Sequence, residues 1–184
     1  VRGGESLGNH EIMSALNTER HGSVLGRSLW HVDMDDARKQ IEALGWTRSA
    51  AVQRLWPDTI HISLVERRPA ALWLDASGEY HLIDAGGYVI SAVEPVAHTD
   101  MPVLAGTTNT SIASPLLNAL ETKPELKSRI AVIRSVGERR FDLRFRNDFT
   151  ARLPEGPPEK ALERLEGLGA GTGKLAETLD YIDL

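Results

Sequence analysis

The sequence predicts an α+β fold in two modules. Residues 1–68 read as helices packed on a small sheet, and residues 69–184 as a larger mixed, mostly antiparallel β domain with two helices. Three observations predict this. The apolar spacing changes at Trp46 from a period of about 3.6 to one of about 2. Glu66-Arg67-Arg68-Pro69 interrupts the pattern, because proline cannot donate to a ladder and pushes the preceding residue out of helix. Beyond it, short β-rich runs alternate with glycine turns.

In chain order, Ile12, Met13 and Leu16 predict a short amphipathic helix over Ser6–Asn17, broken by Gly22–Gly26. Val1-Arg2 reads as the tail of a preceding strand. Asp33 is a favourable N-cap, and Asp36 adds negative charge at the positive end of the helix dipole. Met34, Ala37, Ile41 and Leu44 share the apolar face, Arg38, Lys39 and Glu42 take the wet one, and Gly45 is expected at C′. Ile60, Ile62 and Leu64 alternate with His61, Ser63 and Val65, a half-buried strand whose partner is Ala50–Arg54. Leu55-Trp56-Pro57-Asp58 joins the two, and Trp56 is expected to pack on its own module.

In the second module, strands are expected at Ala71–Asp75, Tyr80–Asp84 and Tyr88–Ser91, with Met101–Leu104 a further extended piece. Ser114 as N-cap and Pro115 at N1 open a helix with Leu116, Leu117 and Leu120 inward. Ile130–Val136, Arg140–Arg146 and Phe149–Leu153 form a meander turning at Gly137-Glu138 and Asn147-Asp148. Pro157-Pro158 start a helix bearing Ala161, Leu162, Leu165 and Leu168, and Gly169–Gly173 lead to a last strand, Leu179–Leu184.

Composition narrows the function classes. Lys and Arg number 21 against 26 Asp and Glu, a net charge of −5, which argues against a general nucleic-acid coat. Hydrophobic residues at 41% and charged residues at 26% are ordinary globular usage. The absence of Cys removes thiolate zinc, thiol catalysis and disulfides. No apolar run approaches the roughly 18–20 residues that cross a bilayer. The start, Val1-Arg2-Gly3-Gly4, has neither Met nor a signal-peptide pattern, so the chain is expected to be part of a longer anchored protein.

No motif points to catalysis or to a cofactor. The histidines at 10, 21, 31, 61, 81 and 98 have no metal-ligand spacing, and His61 and His81 read as polar strand positions. The serines lack a nucleophile elbow. Asp33, Asp35 and Asp36 fit helix capping better than a cation site, and Glu66 with Arg67 fits a strand-end ion pair. Gly169-Ala170-Gly171-Thr172-Gly173-Lys174 has Leu168 where a phosphate loop needs Gly and Leu175 where it needs Ser or Thr. Arg134, Arg139, Arg140, Arg144 and Arg146 concentrate positive charge on the meander, either a solvated sheet face or a patch for an acidic partner. What remains is a non-enzymatic, sheet-rich protein suited to recognition by strand addition.

An ordered set of motifs runs through Gly26-Arg27-Ser28-Leu29-Trp30, Ile41–Trp46, Ala51-Val52-Gln53-Arg54-Leu55-Trp56-Pro57-Asp58 and Val65-Glu66-Arg67-Arg68-Pro69. It continues through Trp73, Leu82–Gly87, Met101–Gly106 and Tyr181–Leu184. Together these resemble the bacterial cell-division family FtsQ/DivIB, with a POTRA (polypeptide-transport-associated) module over 1–68 and a partner-binding β domain over 69–184. Gly45 stands where that family often has Pro, and the family usually continues with Arg and more strand beyond Leu184. The resemblance implies a divisome scaffold at the septum, held in the inner membrane by an N-terminal transmembrane helix outside this sequence, with this region in the periplasm. It implies no enzymatic activity, no cofactor and no metal. It implies FtsB and FtsL periplasmic segments as partners, with other divisome proteins besides. The partner-binding residues it implies are Arg139, Arg140, Leu179, Tyr181, Ile182, Asp183 and Leu184. The POTRA-motif residues Val52, Arg54, Trp56, Pro57, Glu66, Arg67 and Pro69 are structural or partner-facing in the same reading. The competing readings are the POTRA-bearing periplasmic part of an outer-membrane assembly or secretion system and, from another class, a periplasmic cell-wall enzyme.

Overall fold

Helix α1, Met34–Glu42, starts where Asp33 stays extended and its Oδ1 accepts the N–H groups of Asp35 at 2.9 Å and Asp36 at 3.1 Å. The computed structural model describes residues 12, 14–16, 33–169 and 181–184, and divides into two units, Val1–Arg68 and Pro69–Leu184. In the first unit, α1 faces a hairpin of β1, Thr47–Leu55, and β2, Thr59–Glu66, with Val52 opposite Ile62 and Ala50 opposite Leu64. Those four residues pack on a buried cluster of Ile12, Leu16, Ala37 and Ile41. Glu42 ties helix to sheet by accepting the Ala50 N–H at 3.1 Å while holding Arg38 at 2.7 Å. The Ala50 bond is the main reason its carboxyl is held below the usual range, and partial burial opposes it.

The second unit is built on one eight-stranded sheet of order β10-β9-β8-β7-β6-β3-β4-β5. Its strands are β3 (Pro69–Leu74), β4 (Tyr80–Asp84), β5 (Val89–Ala92), β6 (Val103–Ala105), β7 (Ile130–Val136), β8 (Arg140–Phe145), β9 (Thr150–Arg152) and β10 (Tyr181–Asp183). Pairs β3–β4, β4–β5, β7–β8 and β8–β9 are antiparallel, whereas β3–β6, β6–β7 and β9–β10 are parallel. Parallel neighbours need long crossovers. Helices α2 (Ser114–Glu121) and α3 (Pro124–Arg129) lie between β6 and β7, and α4 (Glu159–Gly167) lies between β9 and β10.

Leu116, Leu117, Leu120, Leu126, Leu162 and Leu165 of these helices share one core with Ala71, Ile83, Leu104, Ile133, Leu143, Phe145 and Ala151 of the strands. The helices therefore cover one face of the sheet. Strand side chains alternate in direction, so Arg134, Asp142, Arg144, Arg152, Tyr181 and Asp183 stand on the other.

Several local expectations change. Helix α1 ends at Glu42, and Gly45 is not in the left-handed C′ position. The Thr47 N–H bonds the Leu44 carbonyl, which makes Gly45 an inner residue of a tight turn into β1. Ser114 is the first residue of α2 rather than its cap. A 3-10 turn over Thr110–Ala113 runs straight into the helix, leaving Ala113 at the cap and the Ser114 carbonyl and hydroxyl accepting from Asn118. Leu168 follows the end of α4 and is exposed. Trp56 is 58% exposed, because the β1–β2 connection carries it away from the face where the cluster packs. Met13, Leu179, the Val1-Arg2 strand tail and most of the Gly169–Gly173 loop lie outside the described residues.

Candidate functional site

Strand β10 is the end strand of the large sheet among the described residues, and its position rests on three kinds of contact. Tyr181, Ile182 and Asp183 pair in parallel with Thr150, Ala151 and Arg152, and the Leu184 N–H adds a bond to the Arg152 carbonyl at 3.1 Å. Ile182 and Leu184 turn toward the helices and pack on the core. On the opposite face Arg152 braces the strand twice. Its guanidinium carbon lies 4.7 Å from the Tyr181 ring centroid, and its Nη1 lies 3.7 Å from Asp183 Oδ2.

The consequence is a short strand, outermost among the described residues, whose core-facing side chains are seated and whose outer-face side chains are exposed. Tyr181 is 54% exposed. An edge strand presents backbone N–H and C=O groups that a further strand can pair.

Arg139 and Arg140 sit where the β7–β8 hairpin turns. Gly137 and Glu138 both hold positive φ, 61° and 56°, at the centre of the turn that the Arg139 N–H closes onto the Val136 carbonyl at 3.4 Å. Arg139 is the last of three residues between the paired Val136 and Arg140. Beside the turn is a cavity of about 210 Å³ with Ile112, Leu116, Phe141, Leu153 and Pro158 in its walls. Arg139 contributes to the lining, is 74% exposed, and has Glu155 at 3.6 Å. Arg140 is different. It is part-buried, with Nε 3.7 Å from Asp142 Oδ1, and neither atom makes a hydrogen bond. Arg144 pairs with Asp148 at 2.5 Å and Arg146 Nε donates to the Ser128 carbonyl. Local carboxylates and carbonyls thus offset much of the positive charge on the meander, and Arg139 stands out by its exposure.

The first-unit residues are placed less suggestively. Val52 packs on the α1 side, Pro57 closes the hairpin after a cis Trp56-Pro57 bond, and Glu66 pairs in register with Thr47. Arg54 is part-buried opposite Ile60. The Arg67 N–H donates to the Trp46 carbonyl, and Pro69 is the first residue of β3, where a missing donor is tolerated.

Two features escaped sequence reasoning. Arg152 as a brace depends on the parallel β9–β10 pairing, which no local pattern announces. Asp75, Glu79 and His81 come together with ligand-type atoms within 4.8 Å. Here Asp75 Oδ1 accepts from Ser77 N, Ser77 Oγ and Glu79 N at 2.8, 2.6 and 3.0 Å, while its Oδ2 lies 2.9 Å from His81 Nε2. The Ser77 hydroxyl leads the causes that hold the Asp75 carboxyl far below the usual range. This is a hairpin lock between β3 and β4, and the Asp75-x-Ser77 turn spacing was its available signal.

A family model described as the C-terminal region of cell division protein FtsQ/DivIB matches residues 71–184. The chain belongs to the FtsQ/DivIB family. An FtsQ-type POTRA model matches residues 1–67. Among relatives named cell division protein FtsQ, that of Zymomonas mobilis is 38% identical over 130 residues, covering 71% of this chain and 41% of the relative. The Bartonella bacilliformis protein is 32% identical, covering 100% of this chain and 58% of the relative. The Caulobacter vibrioides protein is 30% identical, covering 91% and 54%. This FtsQ-family chain therefore spans about half the length of these relatives.

Proposed function

We propose that this chain is the periplasmic region of a non-enzymatic divisome scaffold. Its β domain, Pro69–Leu184, takes an extended segment of the small division proteins FtsB and FtsL as an added strand at the β10 end of the large sheet. The POTRA unit, Val1–Arg68, engages other divisome members. An inner-membrane helix preceding this region belongs to the same reading. Among the described residues no helix is long and apolar enough to cross a membrane.

The observation that carries the proposal is strand β10, outermost in the sheet among the described residues, seated by Ile182, Leu184 and Arg152 with Tyr181 exposed on its outer face. Strand addition draws affinity from main-chain bonds and specificity from alternate side chains. Arg139 beside an apolar cavity adds a second contact for an acidic partner residue. The test is calorimetric titration of the full-length protein with the FtsB–FtsL periplasmic segment of the same organism. Tyr181→Ala is expected to weaken binding by about tenfold, the loss of roughly 1.4 kcal/mol, and Arg139→Glu to weaken it and lower its salt sensitivity. Arg139→Glu is cleaner than Arg140→Glu, which would put a carboxylate against Asp142. Unchanged affinity in both Tyr181→Ala and Arg139→Glu would refute the reading.

A further inference from the structure

At the tip of the β3–β4 hairpin, in the half of the sheet away from β10, three side chains of metal-ligating type converge. Asp75 follows β3, Glu79 precedes β4, and His81 lies on β4 opposite Trp73. One ligand atom from each, two carboxylate oxygens and an imidazole nitrogen, lies within 4.8 Å of the other two. The Asp75 N–H bonds the Glu79 carbonyl at 3.0 Å and the Gly78 N–H bonds the Asp75 carbonyl at 3.2 Å, which closes the turn that brings them together. Histidine spacing along the chain misses this group, because two of its three donors are carboxylates.

We infer that Asp75, Glu79 and His81 form a transition-metal site that takes Zn²⁺, with water completing the coordination. The donor set selects the class of ion. Ca²⁺ and Mg²⁺ prefer a shell of about six to eight oxygens, whereas an imidazole beside two carboxylates suits a first-row transition ion. Zn²⁺ accepts such nitrogen and oxygen donors and brings no geometric preference of its own. The two carboxylates also balance its charge while the imidazole is neutral.

Two of the ligands are already oriented for the role. The three donors on Asp75 Oδ1 leave Oδ2 directed at His81 Nε2, 2.9 Å away. Led by the Ser77 hydroxyl, these contacts hold the Asp75 carboxyl far below the usual range, so no proton competes with a cation there. The His81 ring lies against Trp73 with centroids 5.3 Å apart, and Trp73 is fixed in turn by its Nε1–H bond to the Thr107 carbonyl at 3.0 Å. Outer contacts of this kind orient ligands before an ion arrives. Around a tetrahedral ion with bonds of about 2.0–2.2 Å, the donors stand about 3.3–3.6 Å apart, so the Asp75–His81 gap has to open by roughly half an ångström. The exposed Glu79 carboxylate completes the set by a side-chain rotation. An ion there is bonded to both strands of the hairpin.

The test is calorimetric titration of zinc chloride into the intact chain after treatment with a chelator. The tightest site is expected to take one ion per chain with a Kd below about 100 μM. Glu79→Gln and His81→Gln are each expected to weaken it by about tenfold or more, since losing even an outer contact at a metal site costs about 10–100-fold. Glu79→Gln is the cleaner variant, because that side chain is exposed and only the Glu79 N–H enters the hairpin lock, so the fold is kept. Calcium chloride under the same conditions is expected to bind at least about tenfold more weakly than zinc. Unchanged zinc affinity in either variant, a Kd above about 100 μM, or calcium bound as tightly as zinc overturns the inference.

Discussion

Gly87 sits at φ +82°, and a Cβ built there would lie 2.6 Å from the Thr110 carbonyl oxygen. The Thr110 hydroxyl in turn donates to the Gly87 carbonyl at 2.6 Å, so the β4–β5 turn is pressed against the 3-10 turn that leads into α2. Gly87→Ala meets both a backbone clash and a disfavoured φ, and is expected to cost more than about 2 kcal/mol in denaturant unfolding. The Asp75 lock makes a different forecast. A carboxyl whose folded pKa is depressed stabilises the protein above its unfolded pKa, and that contribution disappears as pH falls through the acid range. Asp75→Asn is expected to lower the Tm near neutral pH, with the gap to the unsubstituted protein narrowing on acidification below the ordinary carboxylate pKa of about 3.9. Thermal melts of the two proteins over that range check it, and a constant gap would assign the lock no electrostatic role. Residue-level caps were legible where donor and acceptor are neighbours in sequence, as with Asp33. They were misread at Ser114, where a preceding 3-10 turn moved the helix start.

Elements follow the same logic over longer spacing. Leu116, Leu117 and Leu120 on α2 face inward at helical spacing, and Leu143 and Phe145 on β8 at strand spacing, and all five are at most 1% exposed. Leu117→Ala and Leu143→Ala are each expected to destabilise the β domain by about 2–5 kcal/mol, read from the urea midpoint at unchanged m-value. An exposed position on the same strand, Arg144→Ala, is expected to change it by less than about 1 kcal/mol despite the Arg144–Asp148 pair. Helix α3 had no place in the sequence reading. Its signals were present, with Pro124 at N1, Glu125 in the first turn and Lys127 and Arg129 in the last, but only Leu126 is buried and six residues give too little apolar periodicity to detect.

At the scale of the whole molecule the division falls between Arg68 and Pro69. The core of Pro69–Leu184 is made of its own residues, so this segment expressed alone is expected to fold cooperatively, with a far-UV spectrum of mixed α and β content. A molten spectrum without near-UV signal would show that it needs the first unit. Antiparallel hairpins such as β3–β4 and β7–β8 were legible because turn residues lie between their partners. The parallel contacts β3–β6, β6–β7 and β9–β10 were not, because their partners are separated by helices and nothing local encodes which strands meet. The candidate edge was therefore half visible. The strand showed in the alternation around Tyr181, whereas its neighbour and the Arg152 brace showed only in three dimensions. In the proposed reading, a strand added at the β10 end does not close the sheet, because it becomes the next outermost strand and carries an open backbone ladder of its own. How many chains can queue on this scaffold is then decided by the far side of the first arrival.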